Sequence, residues 1–586
     1  MKKVYLCLLA GASLALASCS SDDLTAVGGG SDTTGGGSTS TVTPVSTPSV
    51  PLDNWKKARI SVNSPAVSVV SLSYTTVGEG ETPIVDNYVV QKGLNDIEVS
   101  VPTYVDEVEL NYNVQGSEVS APVQLTSVSE VEGTIANYTD SNGGSHESVT
   151  FYYYPEEGEQ WYEVWTKAGI DGDTNNDLLY LTNWKSSYGT IYDYTEIDDP
   201  RQGEEGGEEV EVVVAELELP YGVTNWEGKL ETAPGMNKGT TYHTSGVVMF
   251  SGSWPWSAPI EDGKGCDMND VVLDYNIESV VVDESDPVYF ANNDWKEGIT
   301  VTMHVRAVGS KGYTSPEGFG VKLEGLNEQY IAPEDDVQIY LAAGQGRQYE
   351  MPECLKDIQA GVEFDDDGCA YIWVDGIQAL NSSEWLTSEY ILNDSLKGWA
   401  VERDLVYNTE RYSLLNWLST GEDYINRGGP LVTVKVKLNP KTPRASIIEQ
   451  NPTVAKAQVE AFKSVAANSA SQNFFIFGPK IGASTKVTHV GGFAPLKSYE
   501  TQYESSMNSY GWNAAGPYYY IHPETKAVWG IKAPMLVKHV YEGEDFYKTY
   551  SRLLNFLQSD GKEDADWYDV GRYNSGIDEN NLVKYW

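Results

Sequence analysis

Period-two alternation of apolar and polar residues is the feature that most constrains this chain. It is clearest where Val271, Leu273, Tyr275 and Ile277 share one side and Asp270, Asp274, Asn276 and Glu278 share the other. Side chains two apart on a strand point to the same face, so this stretch reads as a strand with one face buried. A compact polar segment, Cys266-Asp-Met-Asn-Asp270, leads into it. The same alternation, rich in Val and punctuated by turn residues, recurs over 59–70, 85–90, 97–101, 107–114 and 211–219. Further on it returns over 246–250, 270–282, 299–308, 319–323, 337–341, 370–374, 431–438, 472–477 and 527–531. The pattern predicts a mainly β, multidomain chain of antiparallel β-sandwich-like domains.

Two stretches carry a helical period instead. Asn451 followed by Pro452 is an N-cap with proline at the first helical position, and Ala455, Val459, Phe462 and Val465 then share a face. Glu544 and Asp545 open a second helix, where negative charge suits the helix dipole. It carries Phe546, Tyr550, Leu553, Leu554 and Leu557 and stops at Gly561. Both stripes are expected to face the core of the C-terminal domain.

Charge and address narrow the function. The 586 residues hold 39 Lys plus Arg against 85 Asp plus Glu, a formal net charge of −46. Such a chain repels phosphate backbones, which argues against nucleic acid as a ligand and in favour of cations. Lys2 and Lys3 precede an apolar run over 4–16 that is too short to span a bilayer. Leu16-Ala17-Ser18-Cys19 then resembles a bacterial lipobox, with cleavage before Cys19 and lipid on that cysteine. Ser20-Ser-Asp-Asp23 is similar to the surface-export signal of Bacteroidota lipoproteins. The expectation is an outer-membrane lipoprotein, anchored through Cys19 and facing outward.

The domain reading follows: signal peptide 1–18, Gly/Ser/Thr/Pro-rich tether 19–51, a small β-sandwich-like domain 52–135, a β-rich intermediate region with an acidic loop 140–235, and a large domain 240–586. Beyond Cys7 and Cys19 there remain Cys266, Cys354 and Cys369. An odd count leaves at least one thiol unpaired, while Cys354 and Cys369 are spaced either to close a short loop or to stay reduced.

Two segments carry oxygen ligands in a pattern that suits calcium. Asp171, Asp173, Asn175 and Asp177 fall at loop positions 1, 3, 5 and 7. Position 6 is Asn176 rather than Gly and position 12 is Thr182 rather than Glu, so this departs from an EF-hand. In the second segment, Asp267, Asn269 and Asp270 gather around one cation if the loop turns tightly. The alternative is that they accept backbone hydrogen bonds from neighbouring loops. Asp274 lies about 13 Å from Asp270 along a strand, too far for one ion. Asp365-Asp-Asp-Gly368 reads as a plain turn.

Catalytic patterns are missing from the sequence. There is no His-Glu-x-x-His, no Gly-x-Ser-x-Gly and no phosphate-binding Gly-Lys-Ser/Thr, and the six histidines are scattered. His489 reads as a hydrogen-bonded core residue. No enzymatic role is expected. The working alternative is a glycan-binding or glycan-degrading component of a polysaccharide utilisation system. The aromatic strings over 149–154 and 160–165 would serve it if exposed, and would be strand cores if not.

Asp267-Met-Asn-Asp-Val-Val-Leu-Asp-Tyr275 resembles the signature of the LruC-domain family of secreted or lipid-anchored bacterial proteins. Gly318-Phe-Gly-Val-Lys-Leu323, Asn473-Phe-Phe-Ile-Phe477 with His489 and Pro495, Trp529-Gly-Ile-Lys-Ala-Pro534, the aromatic helix from Phe546, and Asp566-Trp-Tyr568 follow in the order that family has. Ser253-Trp-Pro-Trp256 departs from its Glu-Asp-Leu-Trp-Pro-like lead. The resemblance covers about residues 240–586. It implies a β-rich extracellular domain, and calcium is compatible with it. The expected role is a calcium-stabilised surface protein for adhesion, for envelope assembly, or for contact with a glycan or protein ligand.

Overall fold

The computed structural model describes residues 54–76, 80–135, 149–153, 160–166, 176–181, 191–197, 209–235, 239–255, 266–281, 297–309, 316–332, 336–343, 347–386, 431–441, 452–478, 486–512, 518–534, 537–559, 561, 563–568 and 576–583. The fold is mainly β, with several sheets and few helices. Among the described residues pairing is antiparallel except between Trp55–Ser64 and Glu209–Glu218, which run parallel. Among the described residues no helix is long and apolar enough to cross a membrane.

The largest sheet organises the rest. Across it run Arg347–Tyr349, Asp336–Ala343, Leu431–Leu438, Gly298–Ala307, Val271–Val281, Thr240–Phe250, Gly80–Val90, Ser68–Thr76, Glu107–Val114 and Ser117–Gln124, with Gly530–Ala533 also pairing Thr240–Phe250. Strands from the 52–135 and 240–586 regions therefore share one sheet, joined where Thr241 and Tyr242 pair with Asp86 and Val85. They also share one apolar core, from Ile60 and Leu72 through Leu273 and Val434 to Phe474. A second sheet orders Gly93–Pro102, Trp55–Ser64, Glu209–Glu218, Thr126–Ile135 and Val149–Tyr153. Pro65 and Ala66 divide the stretch read as one strand over 59–70, so Ser68–Thr76 starts afresh.

The signature strand behaves as its alternation predicts, with Val271, Leu273, Tyr275 and Ile277 all in the core. The helix Pro452–Ala467 lies against its far end and is fastened there: Ser279 Oγ donates to Phe462 O and Thr244 Oγ1 to Ala466 O. Beyond the helix lies the sheet Gln359–Phe364, Cys369–Asp375, Gly318–Asn327, Gln472–Gly478, Lys486–His489. Here the Gly-Phe-Gly segment has a steric reason. A Cβ on Gly318 would lie 2.2 Å from the Phe477 ring, and one on Gly320 would lie 2.4 Å from the Phe475 ring. The glycines leave room for rings of the adjacent strand to lie across them.

Three differences from the sequence reading concern helices and thiols. The stretch opening at Asp545 is two short helices, Phe546–Thr549 and Leu553–Gln558, broken at Tyr550. A helix at Glu500–Ser509 has no counterpart in the reading, because its Gln, Glu, Ser and Asn residues give only Tyr503 and Met507 as an apolar stripe. Cys266, Cys354 and Cys369 are all free thiols, so the 354–369 loop is not closed by sulfur. Cys369 Sγ instead meets Asn327 Oδ1 at 3.7 Å.

Candidate metal centre at the entry to the signature strand

The polar segment before the strand is a tight turn at the end of the large sheet. Met268 adopts a left-handed backbone, φ 50°, and its side chain is fully buried. A buried methionine at positive φ is uncommon and is held by its surroundings. Asp270 N–H donates to Phe250 O at 3.0 Å, closing the turn onto the neighbouring strand. On the other side the Gly298–Ala307 strand runs past the turn, and Gly309 N–H donates to the carbonyls of Asn269 (2.9 Å) and Asp270 (3.2 Å).

The segment 537–550 covers the turn. Phe546 N–H donates to Cys266 O at 2.8 Å, Asn269 Nδ2 donates to Val540 O at 3.1 Å, and Gly543 N–H donates to Asp267 Oδ2 at 3.2 Å. Val537, Val540, Phe546, Tyr547 and Tyr550 pack with Met268, Val272 and Ala307 into a core of their own. The turn is thereby enclosed between sheet and segment.

Within this enclosure the predicted ligands part company. Asp267 is half-buried, and burial together with the neighbouring Glu542 pushes its carboxyl up to about 6. Asn269 is fully buried, and its Oδ1 has no hydrogen-bond partner among the described residues. Asp270 is also buried but turns to the strand connection, its Oδ2 accepting from Gly252 N–H at 2.5 Å. A buried acceptor without a donor costs about 1–3 kcal/mol.

Oxygens converge on one point here. A Cβ built on Gly309 would lie 2.6 Å from Asn269 Oδ1, 2.7 Å from Asn269 O and 2.9 Å from Glu542 Oε2. Sequence reading has no local sign of Gly309 or Glu542, which lie far from the loop along the chain. The donor set is all oxygen, the kind that hard cations take.

Asp274 is elsewhere and has a different partner. Its carboxylate is gripped by Arg306, whose Nε donates to Oδ2 at 3.2 Å and whose Nη2 donates to Oδ1. Both side chains are buried, and Arg306 Nη1 reaches on to Val537 O at 2.7 Å. Burial pushes the Asp274 carboxyl up while the guanidinium pulls it down. The expected separation of Asp274 from the loop is what the structure has.

In the first calcium-type segment, Asp171, Asp173 and Asn175 lie outside the described residues. Asp177 has its backbone in the strand Asn176–Leu181, opposite Val164, and its side chain is outside what is described. Cys19 also lies outside.

A second polar cluster links the other resemblance segments. Lys322 is buried with its ammonium 3.3 Å from Glu324 and 3.4 Å from Asp365, and it is paired with Asp367. Glu324, Asp367 and Cys369 have a spacing that would suit a metal, but the ammonium already contacts both carboxylates. Asp365 accepts from the amides of Lys497 and Ser498 and from Ser498 Oγ at 2.7 Å, so the turn at 365–368 is an anchor for a distant loop. His489 Nδ1 faces Asn473 Oδ1 at 2.7 Å, and its Nε2 accepts from Leu496 N–H at 3.2 Å. Burial, helped by the nearby Lys322, pulls its pKa down to about 3. A neutral imidazole with both nitrogens engaged is a core residue rather than a proton carrier.

Comparisons with known proteins fit this architecture. The family model described as "Domain of unknown function (DUF4842)" matches residues 424–568, inside the region that carries the resemblance and including the 537–550 cover. A solved structure of a protein from Bacteroides ovatus, described as a candidate lipoprotein, is similar with a TM-score of 0.50 and 18% identity. The match covers 88% of this chain and 99% of that one. At that identity the likeness is one of fold. A comparison with curated proteins finds no match.

Proposed function

We propose that this protein is a lipid-anchored, non-catalytic protein of the bacterial outer membrane, exposed at the cell surface, whose large LruC-like β domain is stabilised by calcium at the turn Asp267–Asp270. The observation that carries the calcium reading is Asn269 Oδ1, buried and without a hydrogen-bond partner among the described residues, on a residue whose backbone N–H reaches the Asp267 carboxylate. A calcium ion takes oxygen ligands at about 2.3–2.6 Å and would satisfy both. In this reading Asp267 and Asn269 are ligands, and Asp270 holds the turn in shape through Gly252. A second site over Asp171, Asp173, Asn175 and Asp177 rests on spacing alone.

The anchor is read from Leu16-Ala17-Ser18-Cys19, and the B. ovatus likeness agrees with it. The work of such a protein is binding: adhesion, or assembly with other envelope components. The glycan-utilisation alternative asks for rings clustered at the surface. Among the described residues, Trp254, Tyr503, Tyr520 and Trp529 form a buried cluster, with Trp254 stacked on Tyr503 at 5.7 Å, while Tyr510 and Tyr518 are exposed; the side chains over 149–154 and 160–165 lie outside the described residues.

Calorimetric titration of calcium into the chelator-treated full chain, with thermal melts alongside, tests the metal. Heat of binding and a raised melting temperature are expected, and the absence of both sinks the reading. Lipid labelling tests the anchor, which Cys19→Ser should abolish. A glycan array separates adhesion to protein from carbohydrate recognition.

A further inference from the structure

We infer that Glu542 is a ligand of this calcium site, and that the ion clasps the 537–550 segment onto the Cys266–Asp270 turn. The inference rests on the calcium reading above and extends it from a loop to a joint between two distant parts of the chain.

Three observations converge. The first is the common point at Gly309, where Asn269 Oδ1, Asn269 O and Glu542 Oε2 lie at 2.6, 2.7 and 2.9 Å from where a Cβ would be. Oxygens that share one calcium are separated by up to roughly 5 Å, and oxygens this near a common position are close to that span. The second is the chain path at Gly543, whose φ of 77° suits glycine. There the chain turns so that the Gly543 amide meets Asp267 Oδ2 while the preceding Glu542 reaches Gly309. The third is the buried Asn269 side chain, which ties Nδ2 to Val540 O and leaves Oδ1 without a partner among the described residues.

The electrostatics agree. Asp267 and Glu542 are like charges held together, and among the described residues Asp267 makes no ion pair. Repulsion between the two works against docking of the covering segment, and a divalent ion reverses its sign. Binding therefore favours the closed cover by mass action. Gly309 takes part by what it lacks: a Cβ there would lie within 3 Å of these three oxygens and would force them to shift.

The test uses the full chain, chelator-treated, with calcium chloride as the probe. Calorimetry reads affinity, and hydrogen exchange at Leu553–Gln558 and Val583 reads docking of the cover. For the native chain, calcium should slow exchange at these amides. Glu542→Gln keeps the shape and removes the charge, and should weaken calcium affinity at least tenfold and abolish the protection. Glu544→Gln removes the same charge two residues away and should leave both near native. Gly309→Ala should abolish binding without removing a ligand. Equal losses in the two glutamine variants would overturn direct ligation by Glu542. Native affinity in Glu542→Gln would overturn the clasp while leaving calcium at the turn intact, and no binding by the native chain would overturn both.

Discussion

Two acidic clusters in this protein solve the same problem differently. Around Lys322, three carboxylates, of which Asp365 is buried and Glu324 and Asp367 are partly exposed, meet a cation supplied by the chain itself. Every group there has a partner, down to His489, Asn473 and the amides of Lys497 and Ser498. Around Asn269, the carboxylates of Asp267 and Glu542 come together beside an amide oxygen that has no donor among the described residues. Both lie beneath segments that come from much later in the chain. The lesson is that an acidic cluster becomes informative only when its acceptors are compared with its donors. The first is complete as a structural joint, and the second keeps one acceptor, Asn269 Oδ1, without a donor among the described residues.

The largest effect should come from breaking the complete cluster. Lys322→Met leaves Asp365 and its neighbours without their cation, and should cost about 3–5 kcal/mol in urea unfolding, with or without calcium. If calcium restored that loss, the two clusters would be alike after all. Next is calcium itself: at a hundredfold excess over Kd, the native chain should gain about 2.7 kcal/mol, and Asp267→Asn should gain almost nothing in the same melts. Asp270→Ala should cost about 2 kcal/mol through the bond to Gly252 and still bind calcium, since Asp270 shapes the turn. Loss of calcium in that variant would make Asp270 a ligand.

The smallest effect per step is pH dependence at the Lys322 cluster. His489 ionises near pH 3 in the fold against 6.5 in a free chain, so between those values the unfolded state takes up a proton that the folded state refuses. Stability is full above pH 6.5 and should fall by up to about 1.4 kcal/mol per unit as the pH drops below it. Urea midpoints of His489→Gln should show a shallower slope over the same range.

The sequence made the architecture readable and the site only half so. Alternation at Val271–Val281 or Leu431–Leu438 reports burial of one face directly, which is why the β class and most strands were legible. The turn was legible because its oxygens are consecutive. Arg306, Gly309 and Glu542 were not, since nothing local distinguishes an arginine that meets Asp274 from one facing solvent. The same limit hides the sharing of one sheet by the 52–135 and 240–586 regions, which rests on two residue pairs. The helix at Glu500–Ser509 was hidden for another reason: with two buried side chains it scarcely needs an apolar stripe.

The bond from Asn269 Nδ2 to Val540 O spans 271 residues of chain, and that from Arg306 to Val537 O spans 231. Contacts so far apart in sequence form only when both ends are present and the intervening chain has found its place. A polypeptide emerging from its N-terminus would assemble the sheet with two buried donors still waiting for their carbonyls. A chain cut short before Val537 would leave both donors without those carbonyls and the turn without its cover.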